Sequence, residues 1–177
     1  MSRVKKWSFI LVVIVAISCM FLIAGCEEAK ETAADAKEAA EVTVAESTLK
    51  GEVYENSKFS ITVPGGWIIS YKTDNSVWLN TEDEVFGIIV EISRNNVAEA
   101  DIKSEVEELI KSKNGTPLEE VTILGVKFFK TSVIDGSLDQ TAYVGVRNGE
   151  RVSIVLAGKG HQNNAEMKAM MGSIKFK

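Results

Sequence analysis

The sequence predicts an α+β domain, a mostly antiparallel sheet of six to eight strands flanked by two helices. Three observations predict it. Short apolar runs, most of them alternating and closed by turn residues, recur between Lys58 and Gly158. A helical stripe of Ile102, Val106, Leu109 and Ile110 interrupts them mid-chain. A second stripe, Met167, Met170, Met171 and Ile174, lies near the end of the sequence. One helix among the strands and one after them fit a sheet with helical cover better than a sandwich or a doubly wound fold.

The elements follow in order. In "KFSITV" (Lys58 to Val63), Phe59, Ile61 and Val63 share one face. "PGGW" turns the chain, because Pro64 fixes its own φ, the glycines allow positive φ, and Trp67 opens the next strand. "WIISY" and "SVWLN" are short strands separated by "KTDN". After the "NTEDE" turn (Asn80 to Glu84), "VFGIIVEIS" is the most apolar strand and is expected at the sheet centre. The mid-chain helix has two capping-box candidates, Asn96 and Ser104, each with a glutamate three residues on. Gly115 is expected as its C-terminal cap. Lys103, Glu105, Glu107, Glu108 and Lys111 fall outside the apolar stripe. "VTIL", a turn at Gly125 and "VKFFKTSVI" follow, then a turn at "DGS". Asn148-Gly149 between "TAYVGV" and "RVSIVLAG" is the strongest hairpin signal in the chain. The terminal helix is expected to be capped near Asn163 or Asn164.

The stretch "YENSKFSITVPGGW", the helix after a long strand, the hairpin, and "MKAMMGSIKF" together resemble the PsbP-like fold over roughly residues 54–176. That fold is shared by a photosystem II extrinsic protein, a Ran-binding import factor and many bacterial lipoproteins. The resemblance implies a three-layer sandwich, an antiparallel sheet between helical layers, and a non-enzymatic binding or assembly role. It carries no binding residue over to a numbered position here.

The first residues read as an address. Arg3, Lys5 and Lys6 precede nineteen uncharged residues, Trp7 to Gly25, which is the layout of an export signal. Ile23-Ala24-Gly25-Cys26 resembles the bacterial lipoprotein box. The resemblance implies thioether lipidation of Cys26 by a diacylglyceryl group, cleavage before it, and acylation of the new amino group, with chains such as palmitate. Several acyl chains make a durable anchor, because each buried methylene contributes about 0.8 kcal/mol. The alternative is an uncleaved transmembrane helix with an incidental cysteine. Both readings place the remainder outside the cytoplasm, in a bacterial cell envelope and facing the periplasm or exterior. The chain thus divides into a signal peptide (1–25), the lipidated cysteine with an Ala/Glu/Lys spacer (26–50), and a globular domain (51–177). The spacer favours helix but has no large apolar residues at helical spacing, so it is expected to be solvated.

Charge and cysteine usage narrow the function classes. Residues 27–177 carry 17 basic against 25 acidic side chains, a net −8, of which −4 belongs to the domain. An acidic domain without a basic stripe is a poor partner for nucleic acid, and membrane contact is expected through Cys26 alone. Beyond Cys26 no cysteine remains, so neither a disulfide nor a thiolate metal site is expected.

The search for chemistry finds little. His161, the single histidine, lies in the polar stretch "GKGHQNN" and reads as a solvated loop residue. "GKG" lacks the spacing of a phosphate loop. "NTEDE" lacks the alternating aspartates of a calcium loop and reads as a solvated tip. No catalytic residue, metal or cofactor is expected. Trp67 and Trp78 are the candidate binding surface: exposed on one face, they would form an aromatic platform, although a tryptophan opening a strand more often packs on the core. The methionine stripe reads as core filler. The leading expectation is a lipid-anchored accessory or protein-binding module with an envelope protein as partner. The alternatives are a small-molecule or glycan binder, or a hydrolase built from carboxylates around His161.

Overall fold

The computed structural model describes residues 40–41, 49–135 and 138–177. Along them run β1 (Ala40–Glu41), β2 (Glu52–Glu55), β3 (Phe59–Val63), β4 (Trp67–Lys72), β5 (Ser76–Thr81) and β6 (Gly87–Ser93). Helix α1 (Glu99–Lys113) follows, then β7 (Glu119–Ile123), β8 (Val126–Asp135), β9 (Leu138–Arg147) and β10 (Glu150–Ala157). A 3-10 turn (His161–Asn163), helix α2 (Ala165–Gly172) and β11 (Lys175–Phe176) complete them. All belong to one compact unit, Glu38–Lys177. The export segment, Cys26 and most of the spacer lie outside the described residues.

Two sheets form. The larger has the order β1-β7-β8-β9-β10-β6-β5-β4, and the smaller the order β11-β3-β2. Every pairing is antiparallel except that of β1, which runs parallel to β7 with Ala40 beside Val121. These two residues, which fall in the expected spacer, take backbone partners on a sheet edge. The short strands β1, β2 and β11 were not expected; with two to four residues each, they are too brief to show a period.

Alternation sets the layers. Ile88, Val90 and Ile92 of β6, Val152, Ile154 and Leu156 of β10, and Phe128 of β8 face one way. They meet Phe59, Ile61 and Val63 of β3 and Met167, Met170 and Met171 of α2 in the main core. Residues one step along face the other way: Phe129 and Val144 pack against Ile102 and Val106 of α1. A large sheet therefore lies between α1 on one face and the small sheet with α2 on the other. The α+β class expected from the sequence is the class observed, and β6 lies inside the sheet as its apolar run demands.

The turns obey local backbone chemistry. Asn148 and Gly149 both take positive φ (53° and 75°), the conformation a two-residue hairpin requires, and Arg147 pairs with Glu150. The expected turn at 135–137 has residues 136 and 137 outside the described set, while Asp135 pairs with Leu138 across it.

Helix α1 departs from expectation at both ends. Its N-cap is Ala98, neither Asn96 nor Ser104, and the Asp101 carboxylate accepts from the Ala98 N–H at 3.1 Å. Asn96 instead sits at φ 59° in the approach loop. At the other end Asn114, not Gly115, takes the left-handed position (φ 51°). Gly115 is required for another reason: a Cβ there would lie 2.8 Å from Thr131 Oγ1.

Helix α2 starts as anticipated, with Asn164 Oδ1 accepting from the Met167 N–H at 3.0 Å. Asn164→Ala is expected to lower stability by about 1 kcal/mol, because that N–H loses its partner. Equilibrium urea denaturation of the wild type and variant checks it.

Candidate binding surface

The pleat places Trp78 on the face of the large sheet opposite the main core, since its neighbours Val77 and Leu79 are fully buried in that core. On this face α1 packs on β8 and β9, while α2 packs on β3 on the far side. Beyond the footprint of α1, the register aligns two rows across the strands. Tyr71, Trp78, Ile89 and Val155 form an apolar row through the pairs Tyr71–Trp78, Trp78–Ile89 and Ile89–Val155. Ser76, Glu91 and Ser153 form the polar row beside it.

The edge strand aims the aromatic end of this row. A β-bulge between Ile69 and Tyr71 shifts the register of β4. Asn80 Nδ2 donates to Ser70 Oγ at 2.7 Å, and Ser70 Oγ donates to the Trp78 carbonyl at 3.2 Å, which fixes the irregularity. Bulges re-aim side chains in this way. Tyr71 comes to lie against Trp78 with ring centroids 5.0 Å apart at 54°, an arrangement favoured by the ring quadrupoles. Tyr71 remains 50% exposed, Ile68 43% and Ile69 41%.

Trp67 does not share this surface. It pairs with Thr81, which points to the same side as Leu79, and it is buried. Its Nε1–H donates to Glu166 Oε2 of α2 at 2.7 Å. The expected platform of Trp67 with Trp78 is therefore corrected: an odd number of steps separates Thr81 from Trp78 along β5, so the indoles lie on opposite faces. Tyr71 takes the place of Trp67 beside Trp78. The four residues between Lys72 and Val77, a turn one residue later than "KTDN", set Tyr71 across from Trp78, and the bulge at Ser70 could not be read from composition.

Beside the polar row stands a buried ionic cluster. Glu105 of α1 accepts from Arg151 Nε at 2.9 Å and from Arg151 Nη2 at 2.6 Å, and its second oxygen accepts from Arg94. The Glu105 and Arg151 side chains are only 7% and 9% exposed. Glu105 had been placed outside the apolar stripe. It lies three residues after Ile102 and four before Leu109, on the buried side of the helix, and it tolerates burial because two guanidinium groups meet it.

His161 also differs from its expected place in solvent. It is 1% exposed, and both ring nitrogens are engaged. Nδ1–H donates to the Gly158 carbonyl at 2.8 Å, which leaves Nε2 to accept from the Thr141 hydroxyl at 2.7 Å. Thr141 in turn shares a 2.8 Å hydrogen bond with Ser132. The histidine thus ties the loop after β10 to β9 through a carbonyl and a hydroxyl, and no carboxylate is among its hydrogen-bond partners. A hydrolase arranged around it would need that carboxylate to orient the ring.

The acidic turn after β5 holds itself together. Asp83 accepts from the Thr81 hydroxyl at 2.6 Å and from the Val85 N–H at 3.2 Å, and these donors, the hydroxyl first, hold its carboxyl below the usual aspartate range. Among the described residues no cluster of three metal-ligating side chains occurs, and no helix is long and apolar enough to cross a membrane.

The fold and this surface define an α+β domain with a half-covered antiparallel sheet. Two solved structures are similar to it. A crystal structure of a protein from Bacteroides thetaiotaomicron aligns with a TM-score of 0.53 and 14% identity over 73% of this chain and 49% of that one. This chain thus spans about half the length of that protein. The solution structure of cyanobacterial PsbP (CyanoP) from Synechocystis aligns with a TM-score of 0.49 and 12% identity over 71% of this chain and 92% of that one. At these identities the likeness is one of fold alone. No protein-family model and no curated protein matches the chain.

Proposed function

We propose that this protein is a lipid-anchored binding module of a bacterial envelope, a PsbP-like domain that meets a partner protein through the open sheet face around Trp78 and Tyr71. The observation that carries the reading is the aromatic pair, held by the hydrogen bonds from Asn80 to Ser70 and from Ser70 to the Trp78 carbonyl at an open sheet edge and half exposed at Tyr71. Rigid aromatic side chains with one face free bury much area on binding and lose little entropy, which is why they dominate interface energetics. The anchor at Cys26 and the acidic spacer supply the address, and the domain acts without a cofactor.

A photo-crosslinking residue at position 71, in the full lipidated chain in cells, tests the reading. The expected result is a discrete adduct that Trp78→Ala reduces at least several-fold and that the same crosslinker at Lys103, on the exposed side of α1, does not form. Cys26→Ala is expected to abolish palmitate labelling and the adduct together. An adduct pattern identical at both positions would overturn the surface; a native chain that keeps its leader and an unmodified thiol would overturn the anchor.

A further inference from the structure

We propose that the partner of this surface is an extended segment of another polypeptide, added as an antiparallel strand to the free edge of β4, with basic residues at its C-terminal end beside the Glu82–Glu84 turn. The proposal rests on the binding reading above and supplies its mode of recognition.

The argument starts from backbone chemistry. β4 is the last strand of the large sheet, and among the described residues the backbone of Ile68–Lys72 forms hydrogen bonds only to β5. An edge of this kind presents a row of N–H and C=O groups pointing outward, and another strand is the ligand that satisfies such a row in full. Selectivity then comes from the side chains on alternate positions.

The other edges are blunted. β7 carries Glu119 and Glu120 and has Ala40–Glu41 laid on it. β2 is four residues long with Glu52 and Glu55 exposed, and β11 is two residues long. β4 has six residues, three of them exposed apolar ones, and Lys72 as its one charge. Long, apolar and nearly uncharged edges are those that pair with other chains. A strand laid here would place its alternate side chains against Ile68 and Tyr71, in line with Trp78 and Ile89 behind them.

Charge selects the occupant. At the start of β4, Trp67 pairs with Thr81, so the exposed Glu82, Asp83 and Glu84 lie at that end. At the other end Lys72 and Asp74 cancel. A second copy of this chain, paired antiparallel, would bring the acidic turn against the neutral end and gain nothing from it. A foreign strand with lysine or arginine at its C-terminal end gains charge complementarity.

The test uses the full lipidated chain in nanodiscs and three short capped peptides of alternating valine and threonine. One ends in two lysines, one in two glutamates, and one has the lysines and a central proline. Hydrogen exchange read by NMR is expected to slow about tenfold or more at Ile68–Lys72 with the lysine peptide at saturation. The glutamate peptide is expected to bind about tenfold more weakly at low salt, and the proline peptide not at all. No slowing at β4, equal affinity of the lysine and glutamate peptides, or a dimer formed through β4 in the absence of peptide would overturn the proposal.

Ile68→Pro and Ile69→Pro separate the mode from the surface. Consecutive N–H groups of a strand point to opposite edges, so one of the two removes an outward donor and spares the ladder to β5. The variant that keeps the wild-type melting temperature is expected to lose the lysine peptide. If that variant still binds it while Trp78→Ala removes the crosslink at position 71, strand addition fails and the binding surface stands; if neither change has an effect, both fail.

Discussion

Replacing Glu105 by alanine is expected to lower the unfolding free energy by about 3–5 kcal/mol, the cost of leaving a buried charge without its partner. The carboxylate bridges Arg151, itself almost wholly buried, and Arg94. Its removal leaves the Arg151 Nε and Nη2 donors unmet in a place that water reaches poorly, and it detaches α1 from β10. Urea denaturation with an unchanged m-value would show the loss as stability rather than as a change in compactness. A double-mutant cycle with Arg151→Met distinguishes pairing from packing. The double variant is expected to be more stable than Glu105→Ala alone, because it removes the stranded charge together with the partner it lost. A Glu105→Ala loss below about 1 kcal/mol, the range of a surface ion pair, would mean that Arg151 finds water and that the cluster does not clamp the helix.

His161→Ala is expected to cost about 3 kcal/mol, and a melting temperature lower by roughly 10 °C. Two effects of the same sign combine. A fully enclosed ring leaves a cavity among its neighbours, and the Gly158 carbonyl and the Thr141 hydroxyl lose the groups that satisfied them. Thr141→Val tests the assignment from the other side. It keeps the shape and removes the hydroxyl, so it is expected to cost roughly 1–3 kcal/mol by leaving Nε2 without a donor. The two changes are expected to be less than additive in the double variant, since both break one hydrogen bond. Additive losses would show that the contact contributes nothing beyond packing.

Both predictions concern residues that the sequence leaves outside the core, and the reason is shared. Periodicity reports which positions face inward only where the inward residues are apolar. Ile102, Val106 and Ile110 announced the buried side of α1, but Glu105 on the same side did not, because a carboxylate is buried only when cations from elsewhere meet it. One of those cations, Arg151, lies 46 residues further along the chain. His161 sits in a stretch of glycine, lysine, glutamine and asparagine, which reads as a loop. It is a loop, yet a 3-10 turn folds its ring under β9 to reach a hydroxyl 20 residues earlier. The cap of α1 follows the same logic: Asn114 has the left-handed tolerance of glycine, and Gly115 beside it answers to the nearness of Thr131.

The candidate surface was legible in half. Trp78 was singled out for its ring, and β5 placed it by simple alternation. Its companion was misassigned, since two tryptophans on neighbouring strands share a face only when the register and the parity of the turn allow it. The Trp67–Thr81 pairing puts Trp67 into the core with Glu166 as its hydrogen-bond partner, and the bulge at Ser70 delivers Tyr71 instead. Asymmetry between edges was hidden too: the apolar run of "GIIVEIS" announced an inner strand, but nothing local marks "WIISYK" as the open edge.

By itself, the sequence determined the α+β class, the eight longer strands, both helices, the Asn148-Gly149 hairpin and the inward faces of β3 and α2. Each of these follows from short-range sterics and from a period that a single segment displays. The tertiary structure decided which strand became the open edge, which aromatic joined Trp78, and which polar groups were buried. Those outcomes depend on pairing between segments tens of residues apart, where hydrogen-bond satisfaction and charge compensation come from partners that no local window contains.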